Sequence, residues 1–149
     1  GGGGSPTTTD WWRVLVSANN QGSYTALAIT ELTFKDINGD PISDLGASSS
    51  ASGVAGPNVS GHAFDDSTST NWATTGALPQ WVRIQFGTDI TPYSLDIIGN
   101  NTNVDQAVNA PKDFELQHSE DGLVWTTVNT ITGETAWGQG EIRNFSLLT

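Results

Sequence analysis

His62-Ala63-Phe64-Asp65-Asp66-Ser67-Thr68-Ser69-Thr70-Asn71-Trp72 is the stretch around which the rest of the chain is organised. Two large apolar anchors, Phe64 and Trp72, hold a short run of oxygen donors between them. Asp65 and Asp66 bring carboxylates; Ser67, Thr68, Ser69 and Thr70 bring hydroxyls and backbone carbonyls. A hard cation such as Ca²⁺ takes roughly six to eight such oxygens in a flexible cage. The same residue types also form Asx and Ser/Thr turns with no ion, because their side chains hydrogen-bond their own backbone. Both readings stand at this point.

Outward from this loop the chain reads as short strands. Downstream of Pro79, residues 81–86 alternate, with Val82, Ile84 and Phe86 against Trp81, Arg83 and Gln85. Residues 93–99 form another strand, and residues 100–111 a long polar loop with one helical turn at most, around Ala107 and Val108. Residues 113–119 set Phe114, Leu116 and His118 against acids and amides. Ser119-Glu120-Asp121-Gly122 turns tightly into a strand over 124–130. A loop over 131–140 carries Trp137, and the last strand, 141–148, points Phe145 and Leu147 inward.

Upstream, residues 47–59 are small and polar. Residues 29–35 read as one strand, with Leu32 and Phe34 on one face and Glu31, Thr33 and Lys35 opposite. Asp36-Ile37-Asn38-Gly39-Asp40 resembles the start of an EF-hand loop, but Pro41 stands where that loop needs glycine and Ala47 where it needs an acid. The segment therefore reads as a hairpin turn around Asn38-Gly39. Residues 11–18 form the first strand, with Trp12, Val14 and Val16 on one face and Trp11, Arg13 and Leu15 on the other, so one of the paired tryptophans is core and its neighbour surface. Residues 1–10, rich in glycine, serine and threonine, read as a flexible linker or tag, leaving 11–149 as the domain. Short alternating strands at regular spacing predict an all-β β-sandwich or jelly roll.

Composition excludes several functions. Sixteen acids against five bases, a formal charge of −11, argue against nucleic acid and against an anionic membrane surface. No run of residues is long and apolar enough for a membrane span, so membrane insertion is not expected. Absence of cysteine removes disulfides, thiolate nucleophiles and cysteine-based zinc sites. The two histidines, His62 and His118, offer no Ser-His-Asp set; His118 falls on an apolar strand face and His62 beside the oxygen-rich loop. The Glu120-Asp121 pair lies in a turn, where solvated acids are the common case rather than a glycosidase couple. The chain is expected not to be an enzyme.

Three stretches together carry a family resemblance. They are the Ala-Phe-Asp-x-x-x-x-Thr-x-Trp pattern over 63–72, Gln80-Trp81-Val82-Arg83-Ile84-Gln85-Phe86-Gly87, and residues 110–125 from Ala110-Pro111 to Val124-Trp125. In that order they resemble the discoidin, or coagulation factor 5/8 type C, family of galactose-binding-like jelly rolls. The stretches over 12–16 and 31–34 resemble the strand pair that usually closes this domain; here they open it, as in a circular permutation. This version resembles domains of bacteriophage tail and fibre proteins. The resemblance implies a structural Ca²⁺ held by the carbonyl of His62, the carboxylate of Asp65, the carbonyl of Ser67, the carbonyl and hydroxyl of Thr70, the carboxylate of Glu31 and the carbonyl of Thr30. Asp66 stands where the family commonly has glycine or asparagine; aspartate tolerates a positive φ better than most residues. Trp72, Trp81 and Trp125 match the family's framework tryptophans.

Jelly-roll modules bind ligands through loops at one end, with aromatic faces stacking on sugars and amides bonding hydroxyls. Tyr24, Asn101, Asn103, Asp105 and Trp137 are the candidate contacts, although Trp137 is equally well placed to fold onto the sandwich. Two functions are carried forward. One is a carbohydrate-binding module with structural calcium, recognising host-surface or extracellular glycan from a larger fibre or secreted protein. The other is a structural or decoration domain of a phage particle that mediates assembly without binding glycan. Both imply an extracellular or virion-surface setting; a homo-oligomer formed through the parent fibre is compatible with either, and the sequence does not fix the oligomeric state.

Overall fold

The computed structural model describes residues 4–20, 26–99 and 109–149. Among these the elements run β1 (Thr9–Asn19), β2 (Leu27–Ile29), β3 (Glu31–Lys35), β4 (Ser48–Ala51), a 3₁₀ turn (Ser60–Ala63), β5 (Trp72–Thr74), β6 (Gln80–Ile90), β7 (Ser94–Ile98), β8 (Pro111–Ser119), β9 (Thr126–Ile131) and β10 (Ile142–Ser146). The architecture is an all-β jelly-roll sandwich.

The larger sheet has the order β4-β6-β1-β8-β9, with every neighbour antiparallel. The opposing layer consists of β10-β7-β3 and the short pair β2-β5. Strict alternation places β1 at the centre of the larger sheet: Trp12, Val14 and Val16 point into the core, and Trp11, Arg13 and Leu15 point out. Aromatic side chains join the layers. Trp12 meets Phe34 at 5.9 Å between ring centroids, Phe34 meets Phe86 edge-on at 5.4 Å, and Phe114 meets Phe145 edge-on at 5.2 Å. Such pairs contribute about 0.5–1.5 kcal/mol each beyond the area they bury.

Three local expectations need correcting. β1 begins at Thr9, ahead of the tryptophans, because Thr9 is itself buried and its hydroxyl donates to the Ser119 carbonyl at 2.8 Å. The single strand expected over 29–35 is two strands: β2 pairs with β5 and β3 with β7, and the chain changes partner at Thr30. This break interrupts the alternation, so Thr30, Glu31 and Leu32 are buried in succession and Glu31 faces inward instead of sharing the outer face with Thr33. The small polar stretch over 47–59 contains β4, an edge strand on β6 whose serines carry no apolar signal. The turn at Asn38-Gly39 is present, with Gly39 at φ 79° and the Asp36 carboxylate accepting from the N–H groups of Asn38 and Asp40. The helical turn expected at Ala107 and Val108 lies outside the described residues.

Ser5, near the start of the described chain, lies beside Thr149. The Ser5 N–H donates to the Thr149 carbonyl at 2.7 Å, and the Thr149 N–H returns the bond to Ser5 at 3.0 Å.

Candidate functional site

The oxygen-rich loop is tied down at both ends. The 3₁₀ turn delivers Ala63 into the core, and the Phe64 N–H donates to the Gly61 carbonyl at 3.0 Å. At the far end Trp72 is fully buried; its indole N–H donates to the Gly53 carbonyl at 3.0 Å, and its backbone is in register with Ile29. That register brings the end of the loop to the β2–β3 break, where Thr30 and Glu31 sit. Thr30 Oγ1 reinforces the join by bonding to the Asn71 side-chain oxygen at 2.6 Å. His62 Nδ1 lies 3.1 Å from the Asn71 carbonyl. Asn71 is thus a connecting residue that the sequence pattern did not single out; its place directly before the anchoring tryptophan was the available signal.

Within the loop, one Asp65 oxygen accepts from the Ser67 N–H at 3.0 Å and the other from the Thr70 hydroxyl at 2.6 Å. The Ser67 and Ser69 hydroxyls lie 2.9 Å apart. These bonds alone would be satisfied by an Asx turn without an ion. Glu31 is different. It is 5% exposed, and neither carboxylate oxygen makes a well-formed hydrogen bond, although the Asp65 carboxyl and the Asp66 N–H lie close by. Burial first, then the facing Asp65 and Asp66, push its pKa up to about 9, with the Asp66 N–H acting weakly the other way. For Asp65 burial acts upward, but the Thr70 hydroxyl, the Ser67 N–H and Glu31 hold its pKa below the ordinary carboxylate value. Asp66 itself adopts φ 56°, the left-handed region in which aspartate is among the better-tolerated residues.

A buried carboxylate aimed at another carboxylate is costly unless it takes up a proton or a cation lies between them. Among the described residues no three His, Cys, Asp or Glu side chains converge. A cation here would rest on Glu31 and Asp65, with the neutral oxygens of Thr30, His62, Ser67 and Thr70 completing the cage. That oxygen-only, low-charge donor set fits Ca²⁺, not zinc or a soft metal.

The candidate glycan contacts fare differently. Tyr24, Asn101, Asn103 and Asp105 lie outside the described residues. Trp137 is corrected: it is 4% exposed, its indole N–H donates to the Pro111 carbonyl at 3.0 Å, and the Arg143 guanidinium lies 4.3 Å from its ring centroid. The ring packs so closely on Gly99 that a β-carbon there would stand 2.8 Å from it, so Trp137 is folded onto the sandwich. A hollow of about 160 Å³ adjoins the oxygen-rich loop, lined by Phe64, Asp66, Asp44, Pro41 and Ile42 among others. It is smaller than the pockets that enclose a small molecule. His118 lies against Trp12 at 5.6 Å, and burial lowers its pKa.

Residues 62–148 match the family model described as the NedA-like, galactose-binding domain of the F5/8 type C group. No curated protein matches the chain. The match begins at the oxygen-rich loop and spans more than half of the sequence. The chain belongs to this galactose-binding family.

Proposed function

We propose that this galactose-binding family member is a non-catalytic carbohydrate-binding module fastened by a structural Ca²⁺ ion. The ion would be held by the carboxylates of Glu31 and Asp65, the carbonyls of Thr30, His62 and Ser67, and the carbonyl and hydroxyl of Thr70. The observation that carries the calcium reading is the Glu31 carboxylate, buried without a well-formed hydrogen bond and facing Asp65. A bound cation would supply the missing charge and link β3, from the opening strands, to the loop before β5. The ion's role is to fasten the fold; glycan contact is assigned to loops elsewhere on the sandwich. A setting outside the cell or on a virion surface suits a low-charge calcium cage, since sites of extracellular modules work at about 10⁻⁴–10⁻³ M. The family match starting at His62 and the pairing of Ser5 with Thr149 support reading the opening strands as the family's closing pair carried to the front.

Calorimetric titration with Ca²⁺, paired with thermal melts in Ca²⁺ and in chelator, tests the ion. Heat of binding and a higher melting temperature with calcium are expected; no heat and identical melts would refute the cage. A glycan array probed with calcium-loaded protein tests the ligand, with galactose-bearing glycans as the expected class. A folded, calcium-loaded domain without hits would overturn carbohydrate binding.

A further inference from the structure

The outer face of the larger sheet carries a feature that neither calcium nor end-loop binding explains. Arg13 on β1 and Arg83 on β6 are direct cross-strand partners, both pointing outward. Like charges placed opposite one another destabilise a sheet. Burial and Arg83 together lower the Arg13 pKa, with Glu115 acting weakly the other way. In a chain with sixteen acids, neither arginine makes an ion pair among the described residues; Lys35 and Arg143 make those that form.

A polar row running across the sheet orients the two guanidiniums. Arg83 Nε donates to Ser50 Oγ at 2.7 Å, Arg13 Nε donates to Gln117 Oε1 at 2.6 Å, and Gln117 Nε2 donates to Thr127 Oγ1 at 3.0 Å. These bonds use the inner nitrogens. Among the described residues, both terminal nitrogens of Arg13 and one of Arg83 have no hydrogen-bond partner; the other Arg83 nitrogen reaches the Gly122 carbonyl at 3.3 Å. Tryptophans flank the pair. Trp81 lies beneath both guanidiniums, at 4.8 Å from Arg83 and 5.9 Å from Arg13, while Trp125 lies 4.4 Å from Arg13 and Trp11 5.1 Å from Arg83. All three rings are partly exposed.

We infer that this face is a second glycan site, in which the Arg13–Arg83 pair binds the carboxylate or sulfate of an acidic saccharide and the exposed parts of Trp11, Trp81 and Trp125 border its sugar rings. Two guanidinium forks with free N–H donors match a planar oxyanion. The parts of the three indoles left exposed beside the guanidiniums offer apolar surface for a pyranose to lie against. The anion would offset the repulsion that the two arginines otherwise carry, which gives acidic saccharides an advantage over neutral ones. The inference rests on the carbohydrate-binding reading for the choice of a saccharide over other polyanions, and places a site away from the loops that reading uses.

The test is a titration of the ¹⁵N-labelled full chain, following the indole N–H signals of its six tryptophans. The probes are galacturonate trisaccharide, a sulfated galactan trisaccharide and the neutral galactan trisaccharide. Trp11, Trp81 and Trp125 are expected to move with an acidic probe while buried Trp12, Trp72 and Trp137 stay still. Whichever acidic probe acts at lower concentration identifies carboxylate or sulfate as the anion. Arg13→Gln and Arg83→Gln are each expected to weaken acidic binding roughly tenfold or more, as loss of charge-assisted bonds does. Arg83→Lys, which keeps the charge, is expected to weaken it less than Arg83→Gln. Neutral binding with these three indoles unmoved and no preference for acid would overturn the inference and leave carbohydrate binding standing. Binding of none of the three probes would overturn this inference alone if the glycan array finds ligands, and both readings if it does not.

Discussion

Replacing Glu31 by glutamine should stabilise the calcium-free protein and at the same time abolish its response to calcium. In the folded, metal-free chain the Glu31 carboxyl titrates at about 9, against 4.5 when unperturbed. Because the folded value is the higher, the folded state holds a proton that the unfolded state has released between those two pH values. Stability from this group is therefore fully present below 4.5 and falls as pH rises, until it levels off above about 9. Between 4.5 and pH 7, at about 1.4 kcal/mol per pH unit, the loss reaches about 3 kcal/mol. Glutamine has nearly the shape of the protonated acid and cannot ionise, so Glu31→Gln recovers up to about 3 kcal/mol at pH 7. For a domain of this size that is roughly 6–12 °C in melting temperature. The assay is a thermal melt of parent and variant at pH 5, 7 and 9, each in chelator and in millimolar Ca²⁺. The parent should melt lower as pH rises in chelator and recover with Ca²⁺; the variant should show a flatter pH dependence and no calcium shift. A variant that melts below the parent in chelator at pH 7, or that keeps the calcium shift, would refute the reasoning.

Trp72→Ala should cost about 3–5 kcal/mol in urea unfolding, because the ring is fully buried and its N–H holds the Gly53 carbonyl. Ala136 adopts φ 57°, so Ala136→Gly should raise stability by about 0.5–1 kcal/mol, read from the same unfolding curves. Gly99→Ala should destabilise by about 1–3 kcal/mol, since a β-carbon there would stand 2.8 Å from the Trp137 ring and 2.9 Å from the Ala110 methyl. Trp137→Phe should lower the melting temperature and leave glycan affinity unchanged; a selective loss of affinity would return Trp137 to the binding surface.

Much of the sandwich was legible because its central strands alternate without interruption. Val14 and Val16 on β1, Val82 and Ile84 on β6, and Phe114 and Leu116 on β8 announce both the strand and its buried face. The break at Thr30 was not legible: Ile29 and Leu32 are equally good strand formers on either side, and only the change of partner from β5 to β7 reveals it. β4 was missed for the opposite reason, since an edge strand of serines needs no apolar face. At the site, the pattern from Phe64 to Trp72 marked the loop, and the family resemblance supplied Glu31 as its distant partner. The burial of Glu31 could not be read locally, because Glu31, Thr33 and Lys35 look like an outward polar face. The outer-face arginines illustrate a different limit: alternation places Arg13 and Arg83 outside, but only strand register sets them opposite each other.

The bonds between Ser5 and Thr149 make the folded chain a ring with a single nick. Topologically, the position of the nick matters little to the sheets: a short bridge across the ends and a cut in the exposed turn at Asn38-Gly39 would leave every strand pairing intact. Mechanically, a longer polymer continuing from both ends would enter and leave at one point, about a strand spacing apart. Tension along that polymer would meet the Ser5–Thr149 pair end-on, one bond at a time, before any load reached the central strands. The domain would hang beside its host's path as a pendant, adding almost nothing to the host's contour length while folded.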